Sequence, residues 1–258
     1  MILVLVVAAR NTKTAADAKR RHLAYTSKLK TQSSVTYHKV CAFTFHLQIW
    51  RVCIQISPFR PRENKMTIDV RRIIDQYLKV FPAERERLAL LVEYLKKNNY
   101  QKAIDWNNFN GHIVASGFVY AKKEKQFLVL YHKDLKMFLY PGGHVNAIDK
   151  NILEAAKREV VEETGIKTFS EVKVAENELV PFDIDTHIIA YNTRLNLPEH
   201  HHFDFRYLFT IDKISDIKLD AEEHSEYKWI GIDELEKDKN FGQVVKKLEK
   251  EKIFCKKF

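Results

Sequence analysis

The chain has 258 residues, 45% hydrophobic and 30% charged, with a formal net charge of +9, which describes a soluble globular protein of one sizeable domain plus an appendage. No run of 18 apolar residues occurs, which excludes an ordinary membrane-spanning helix. Three widely spaced cysteines, Cys41, Cys53 and Cys255, form no CxxC pair; this argues against a disulfide framework or a cysteine zinc site and for a reducing compartment, the cytoplasm.

In chain order, the basic excess comes first. Residues 1–65 carry 12 Lys/Arg against two acids, Asp17 and Glu63, while residues 66–258 carry 31 against 32. The first quarter is therefore +10 and the remainder −1, so the net charge is no evidence that the main domain binds nucleic acid. Residues 1–65 also hold none of the seven glycines. Met1–Ala9 is apolar but lacks a basic flank and a cleavage site, so it is not read as a secretory signal. Asn11–Gln32 is basic and poor in acids, the composition of a transit peptide or nucleic-acid arm, and Val40–Ile56 is apolar enough for one or two strands. The expected reading of 1–65 is a poorly structured extension outside the fold, dispensable for the chemistry, with Met66 opening a stretch of different statistics.

Ile68–Val80 has apolar residues at helical spacing, and Pro82 breaks the pattern. Glu84–Asn98 resumes it through Leu88, Leu91 and Leu95. The pair predicts a helical hairpin over residues 66–105, serving packing or a homodimer contact. From residue 106 the period changes. His112–Ala121 and Gln126–His132 read as a β-hairpin across the charged turn Lys122–Lys125, and Lys136–Tyr140 as a short strand ending at Pro141. Gly142-Gly143 reads as a turn. A helix is predicted over Asn151–Thr164, with Leu153, Ala156 and Val160 as its core stripe and Gly165 at its left-handed end. Strands are expected at Lys167–Leu179, Ile184–Asn192, Phe203–Ile211 and Glu226–Ile232, a connection at Lys213–Leu219, and helices at Ile232–Lys237 and Gln243–Lys252. Several strands with few helices predict a mixed sheet covered on both sides, α/β or α+β.

The chemistry concentrates in the Asn151–Thr164 helix. Glu159 and Glu163 stand one turn apart on one face, and Glu162 flanks them. Acids in a last turn oppose the helix dipole, and carboxylates so close raise one another's pKa. A hard cation resolves both problems, and oxygen ligands suit Mg²⁺ or Mn²⁺ acting with substrate phosphates. Arg158 has the planar fork to orient a carboxylate. Gly142 and Gly143 let the backbone approach a metal or a phosphate. A merely solvated acidic face is the competing explanation, weakened by the Pro-Gly-Gly turn before the helix and Gly165 after it.

This stretch resembles the Nudix box, G-x5-E-x7-R-E-U-x-E-E-x-G-U, with U a bulky apolar residue. Gly143 takes the first glycine, and Arg158-Glu159-Val160-Val161-Glu162-Glu163-Thr164-Gly165-Ile166 matches the second half at every fixed position. In the first half, Asp149 stands where the family has glutamate, and eight residues rather than seven separate it from Arg158. The resemblance implies an α/β/α sandwich with a mixed sheet. It implies hydrolysis of a nucleoside diphosphate linked to another group, with Glu159, Glu162, Glu163 and the Gly143 carbonyl as metal ligands. The metal would activate a water to attack phosphorus. Glu163 or Glu162 could take the water's proton, or a glutamate of the later loop, Glu222, Glu223 or Glu226.

Two polar stripes are candidates for the substrate cleft. Strand alternation puts Asp183, Asp185 and His187 on one face, and His200, His202, Asp204 and Arg206 on another, backed by His201, Phe203, Phe205, Tyr207 and Phe209. Arg206 suits a phosphate, and the histidines suit base, phosphate or a second metal; a solvated sheet face competes equally. A zinc site from His200-His201-His202 is disfavoured, because consecutive strand residues diverge. Tyr140, Phe138 and Phe118 could stack on a base but read better as core. A nucleotide-sensing module without turnover is the alternative function, but relatives of that kind often lose box glutamates and this chain keeps them. An isoprenoid diphosphate isomerase would need a core cysteine, and the only cysteine past residue 65 is Cys255.

Overall fold

The structure, a computed structural model, describes residues 70–191, 196–239 and 241–251. The chain divides into units of residues 1–64 and 65–258, and all described residues belong to the second. The N-terminal extension lies outside the described residues. So do Cys41, Cys53 and Cys255 and the outermost residues of the elements expected to include Ile68, Asn192 and Lys252.

Helix α1 (Val70–Val80) leads through a 3-10 turn at Pro82–Glu84 to α2 (Ala89–Lys97) and the single turn α3 (Tyr100–Ala103). The second helix starts five residues later than its periodicity suggests. Glu84 and Arg87, which would have formed its first turn, are drawn instead into ion pairs with Lys247 and Asp183.

Eight strands form one mixed sheet: β1 (His112–Ala121), β2 (Gln126–His132), β3 (Met137–Leu139), β4 (Gly142–His144), β5 (Ser170–Glu171), β6 (Asp183–Ile189), β7 (His200–Ile211) and β8 (His224–Gly231). At its centre β1 and β7 run parallel along ten residue pairs, from His112 opposite His202 to Ala121 opposite Ile211. The outer edge of β1 is shared by β4 and β2, and that of β7 by β6 and β5. Helix α4 (Ile152–Thr164) lies on β1, β4 and β7, and α5 (Ile232–Leu235) and α6 (Gly242–Lys250) complete the described residues.

Two apolar clusters divide the sheet's faces. One joins α1, α2 and α4 to Ala115, Val119, Phe203, Phe205, Tyr207 and Phe209. The other joins α5 and α6 to Phe118, Tyr120, Phe127, Val129 and Leu208. Strand alternation separates the two sets, and helices cover both sides, as the mixed α/β (α+β) reading expects. The predicted core stripe of α4 is buried at Leu153, Ala156 and Val160.

Two expectations fail. Gly142-Gly143 is not a free turn but the first two of the three residues of strand β4, paired with Ser116 and Ala115. A side chain at Gly142 would put its Cβ 2.4 Å from Ser116 Oγ, so the close pairing requires glycine. The run Lys167–Leu179 forms ladder contacts only at Ser170–Glu171. Its apolar residues Val172, Val174 and Leu179 pack against the clusters without extending the sheet, which is why its composition imitates a strand.

Candidate active site

Helix α4 is fixed at both ends by its own sequence. The Asn151 side chain caps the amide of Glu154, and Gly165, at φ 72°, takes the left-handed turn that ends it. Its approach to the sheet depends on Gly117 of β1: a Cβ there would lie 2.4 Å from Val160 Cγ2. The same face carries Glu159 and Glu163 against β4. Gly142 donates its amide to Glu163 Oε2 at 3.3 Å. A side chain on Gly143 would come 2.8 Å from Glu159 Oε1. The helix thus brings two carboxylates to a strand from which side chains have been removed.

Arg158 organises this group. Its guanidinium holds Asp149 at 2.9 and 3.0 Å, Glu159 at 2.8 Å, Glu162 at 2.9 Å and the His144 carbonyl at 2.9 Å. Asp149 is itself fixed by the Asn146 amide, 2.7 Å from its second oxygen. The residue that departs from the Nudix box therefore anchors the arginine. Nothing in the sequence beyond its position in the motif pointed to this.

The carboxylates are poorly solvated. Burial, together with Glu162 and Glu223, outweighs Arg158 and pushes Glu159 up to about 7. Burial, then Glu159 and Glu223, push Glu163 up to about 9. Glu162 is exposed on the rim. Of the three later glutamates, Glu223 is the one whose charge acts on both Glu159 and Glu163. Glu226 pairs with Lys228 at 3.3 Å, and Glu222 and Glu223 are both exposed. His224, adjacent to Glu223 and buried, has Nε2 3.9 Å from Glu163 Oε2. A buried and a half-buried carboxylate that repel each other, facing glycine backbone, fit a hard divalent cation of the Mg²⁺ or Mn²⁺ class.

The two polar stripes assemble differently. Asp183, Asp185, Asp204 and Arg206 converge into one ionic network. Arg206 Nε donates to Asp204 at 2.8 Å, Nη1 to Asp183 at 3.1 Å and Nη2 to Asp185 at 2.8 Å. Asp204 also accepts from Ser116 Oγ at 2.7 Å and Tyr140 OH at 2.9 Å. Asp183 is reached by Arg87 and by Lys247, both at 3.0 Å. Every nitrogen of Arg206 faces a carboxylate and the residue is buried, so the phosphate hook expected of it is a structural ion network instead. Burial in the second cluster likewise makes Phe118 core, with Phe138 and Tyr140 packed on it.

His187 and His202 belong to a second group, with His200 of the same strand and with His112 and His144, which sequence patterning did not single out. His112 stands opposite His202 and His187 opposite His202 in the ladders. Burial, His144 and His200 push His112 down to about 4.

Among known proteins, the family model described as NUDIX domain matches residues 111–249. A protein of Lactococcus lactis subsp. cremoris, described as a probable DHNTP pyrophosphohydrolase, is 29% identical over 142 residues, covering 55% of this chain and 79% of that one. The structure of an E. coli dihydroneopterin triphosphate pyrophosphohydrolase is 18% identical with a TM-score of 0.42, covering 52% of this chain and 92% of that one. A C. elegans Ap4A hydrolase complex is 21% identical with a TM-score of 0.42, over 57% and 98%.

Proposed function

From the premise that this chain belongs to the Nudix hydrolase family, we propose that it cleaves a pyrophosphate bond in a nucleoside diphosphate linked to another group, with Mg²⁺ or Mn²⁺. The observation that carries this reading is the placement of half-buried Glu159 and buried Glu163 against the glycine pair Gly142-Gly143 of β4. With Glu162 and the Gly143 carbonyl, these residues would hold the cation. When bound, the cation supplies charge neutralisation for the phosphates and a water acidic enough to be a nucleophile near neutral pH.

The remaining roles belong to the chain. Arg158 fixes Glu159 and Glu162 through charge-assisted hydrogen bonds and is itself clamped by Asp149, so the carboxylates need no reorganisation when substrate binds. Glu223, with its pKa raised by partial desolvation and by Asp220, Asp134 and Glu222 near it, is the base we assign to the attacking water's proton. A raised carboxyl value matches it to work near neutral pH. Substrate oxygens would meet the glycine strand β4 rather than Arg206, whose donors are committed.

The substrate class is tested with a panel in Mg²⁺ and in Mn²⁺: oxidised nucleoside triphosphates, ADP-ribose, dinucleoside polyphosphates, nucleotide sugars, RNA 5′ ends, and DHNTP, the compound in the Lactococcus relative's description. Divalent-dependent release of a phosphorylated product from at least one of them is the expected result. Stoichiometric nucleotide binding with no turnover on any would make the chain a sensing module.

A further inference from the structure

We propose that His112, His200 and His202 form a binding site for a divalent transition metal of the zinc class, separate from the carboxylate site of α4. The parallel ladder sets His112 opposite His202, and strand alternation puts His200 on the same face as His202. One ring nitrogen from each of the three lies within 4.8 Å of the others. The Nε2 atoms of His200 and His202 are 3.2 Å apart. Ligand bonds of about 2.0–2.1 Å in a tetrahedral zinc site separate nitrogens by roughly 3.4 Å, so that pair is already at ligand spacing.

The second line of evidence is polar accounting. His200 Nδ1 is 2.7 Å from the Pro198 carbonyl, and His112 Nδ1 is 3.5 Å from the Asn108 carbonyl. A carbonyl can only accept, so both Nδ1 atoms carry the proton and both Nε2 atoms present lone pairs inward, the arrangement in which backbone carbonyls orient metal-bound histidines. His112 is 1% exposed, and its Nε2 has no hydrogen-bond partner among the described residues. A buried acceptor left bare carries a cost that a metal bond removes. His200 Nε2 faces His202 Nε2 at 3.2 Å, a contact that either an N–H of His202 or a bound cation completes.

The donor set selects the metal. Three neutral imidazoles suit zinc, copper or nickel and are poor ligands for Mg²⁺. His144 and His187 border the group, with ring centroids 5.1 Å from His112 and 5.6 Å from His202. Asp185 holds His187 Nδ1 at 3.0 Å. These two rings flank the three-histidine group without joining it as ligands. His201 takes no part: it stacks on Phe203 on the opposite face, with ring planes 12° apart. The divergence of consecutive strand residues therefore holds, and the third ligand comes from a strand that is distant in sequence.

The test is metal content of the full chain, equilibrated with Zn²⁺ in saturating Mg²⁺, desalted and measured by plasma mass spectrometry, together with visible absorption of the Co²⁺-loaded protein. Wild type, His201→Ala and Glu163→Gln are expected to retain about one zinc per chain and to show the intense bands of tetrahedral Co²⁺. His112→Ala and His202→Ala are expected to lose both, with at least a tenfold drop in bound zinc. Should His112→Ala fail to melt cooperatively, His202→Gln decides. A wild-type chain that takes up neither metal, or histidine variants that keep it, would overturn the proposal. Loss in Glu163→Gln alone would place the zinc on α4 and overturn it equally. Activity plays no part in these readouts, so failure here leaves the pyrophosphohydrolase reading standing, and the reverse.

Discussion

Arg158 and Asp149 meet through two parallel hydrogen bonds, Nε to Oδ1 at 2.9 Å and Nη2 to Oδ2 at 3.0 Å. Aspartate is one methylene shorter than the glutamate of the family's pattern, and the loop before the helix carries one extra residue. The Asn146 turn that holds Asp149 brings the shorter side chain to the guanidinium. Asp149→Ala should therefore weaken Mg²⁺ dependence and turnover by about 10–100-fold, the usual loss when a group supporting metal ligands is removed. Arg158→Lys should do the same, since an ammonium cannot span Asp149, Glu159 and Glu162 at once. Turnover measured against Mg²⁺ concentration checks both; an unchanged Asp149→Ala curve would mean that the clamp is idle.

Glu163 makes the metal-free chain sensitive to pH. Its folded value is raised to about 9, against roughly 4.3 for an unfolded glutamate. The stability it contributes is present below the unfolded value and is lost as pH rises towards the folded one. Metal-free melting temperature should thus fall across that window, and Mg²⁺, which takes the ionised form, should raise it more at about pH 8 than at about pH 6. Glu163→Gln should melt about 3 °C or more above metal-free wild type at the higher pH and lose most of the Mg²⁺ increment. Parallel pH curves for the two proteins would contradict the assignment.

Arg206 separates an internal ion network from a phosphate hook. Arg206→Ala leaves Asp183 and Asp204 buried beside a missing partner, which should cost about 3–5 kcal/mol. Thermal unfolding should show this as a drop of the order of 10 °C. An unchanged melting temperature with a raised KM would instead make Arg206 a substrate ligand.

Gly117 sets the distance between α4 and the sheet. Gly117→Ala puts a methyl 2.4 Å from Val160 Cγ2 and 2.8 Å from Phe209 Cε2. Overpacking of this kind should destabilise by about 1–3 kcal/mol. Val160→Ala in the same chain should recover part of that loss, because the two side chains compete for one space. A denaturant series on the two single variants and the pair measures the coupling; additive effects would show that the contact is not the constraint.

The helix was the most legible element. Its apolar stripe, Asn151 and Gly165 are local signals, and the structure places its ends at Ile152 and Thr164. The strands 112–121 and 126–132 were legible for the same reason. What escaped was set by pairing between distant segments. Alternation gave the faces of β6 and β7, but only the β1–β7 register brings His112 to His202. Only the packing of α1 and α6 supplies the Arg87 and Lys247 partners of Asp183. Alternation set Asp204 and Arg206 on one face of β7, but only the β6–β7 register brings Asp183 and Asp185 to the same guanidinium. Glu223 was one of three equivalent glutamates until the fold put its charge beside Glu159 and Glu163.

The central claim is that α4 is the hydrolytic centre. Its most direct test is phosphate-product release from the best substrate of the panel, in saturating Mg²⁺, by wild type and by Glu163→Gln shown to fold by its melting curve. The predicted result is divalent-dependent turnover by wild type and a loss of about a thousandfold or more in the variant, the scale on which charge stabilisation at a reacting centre operates. A folded Glu163→Gln that turns over like wild type would contradict it.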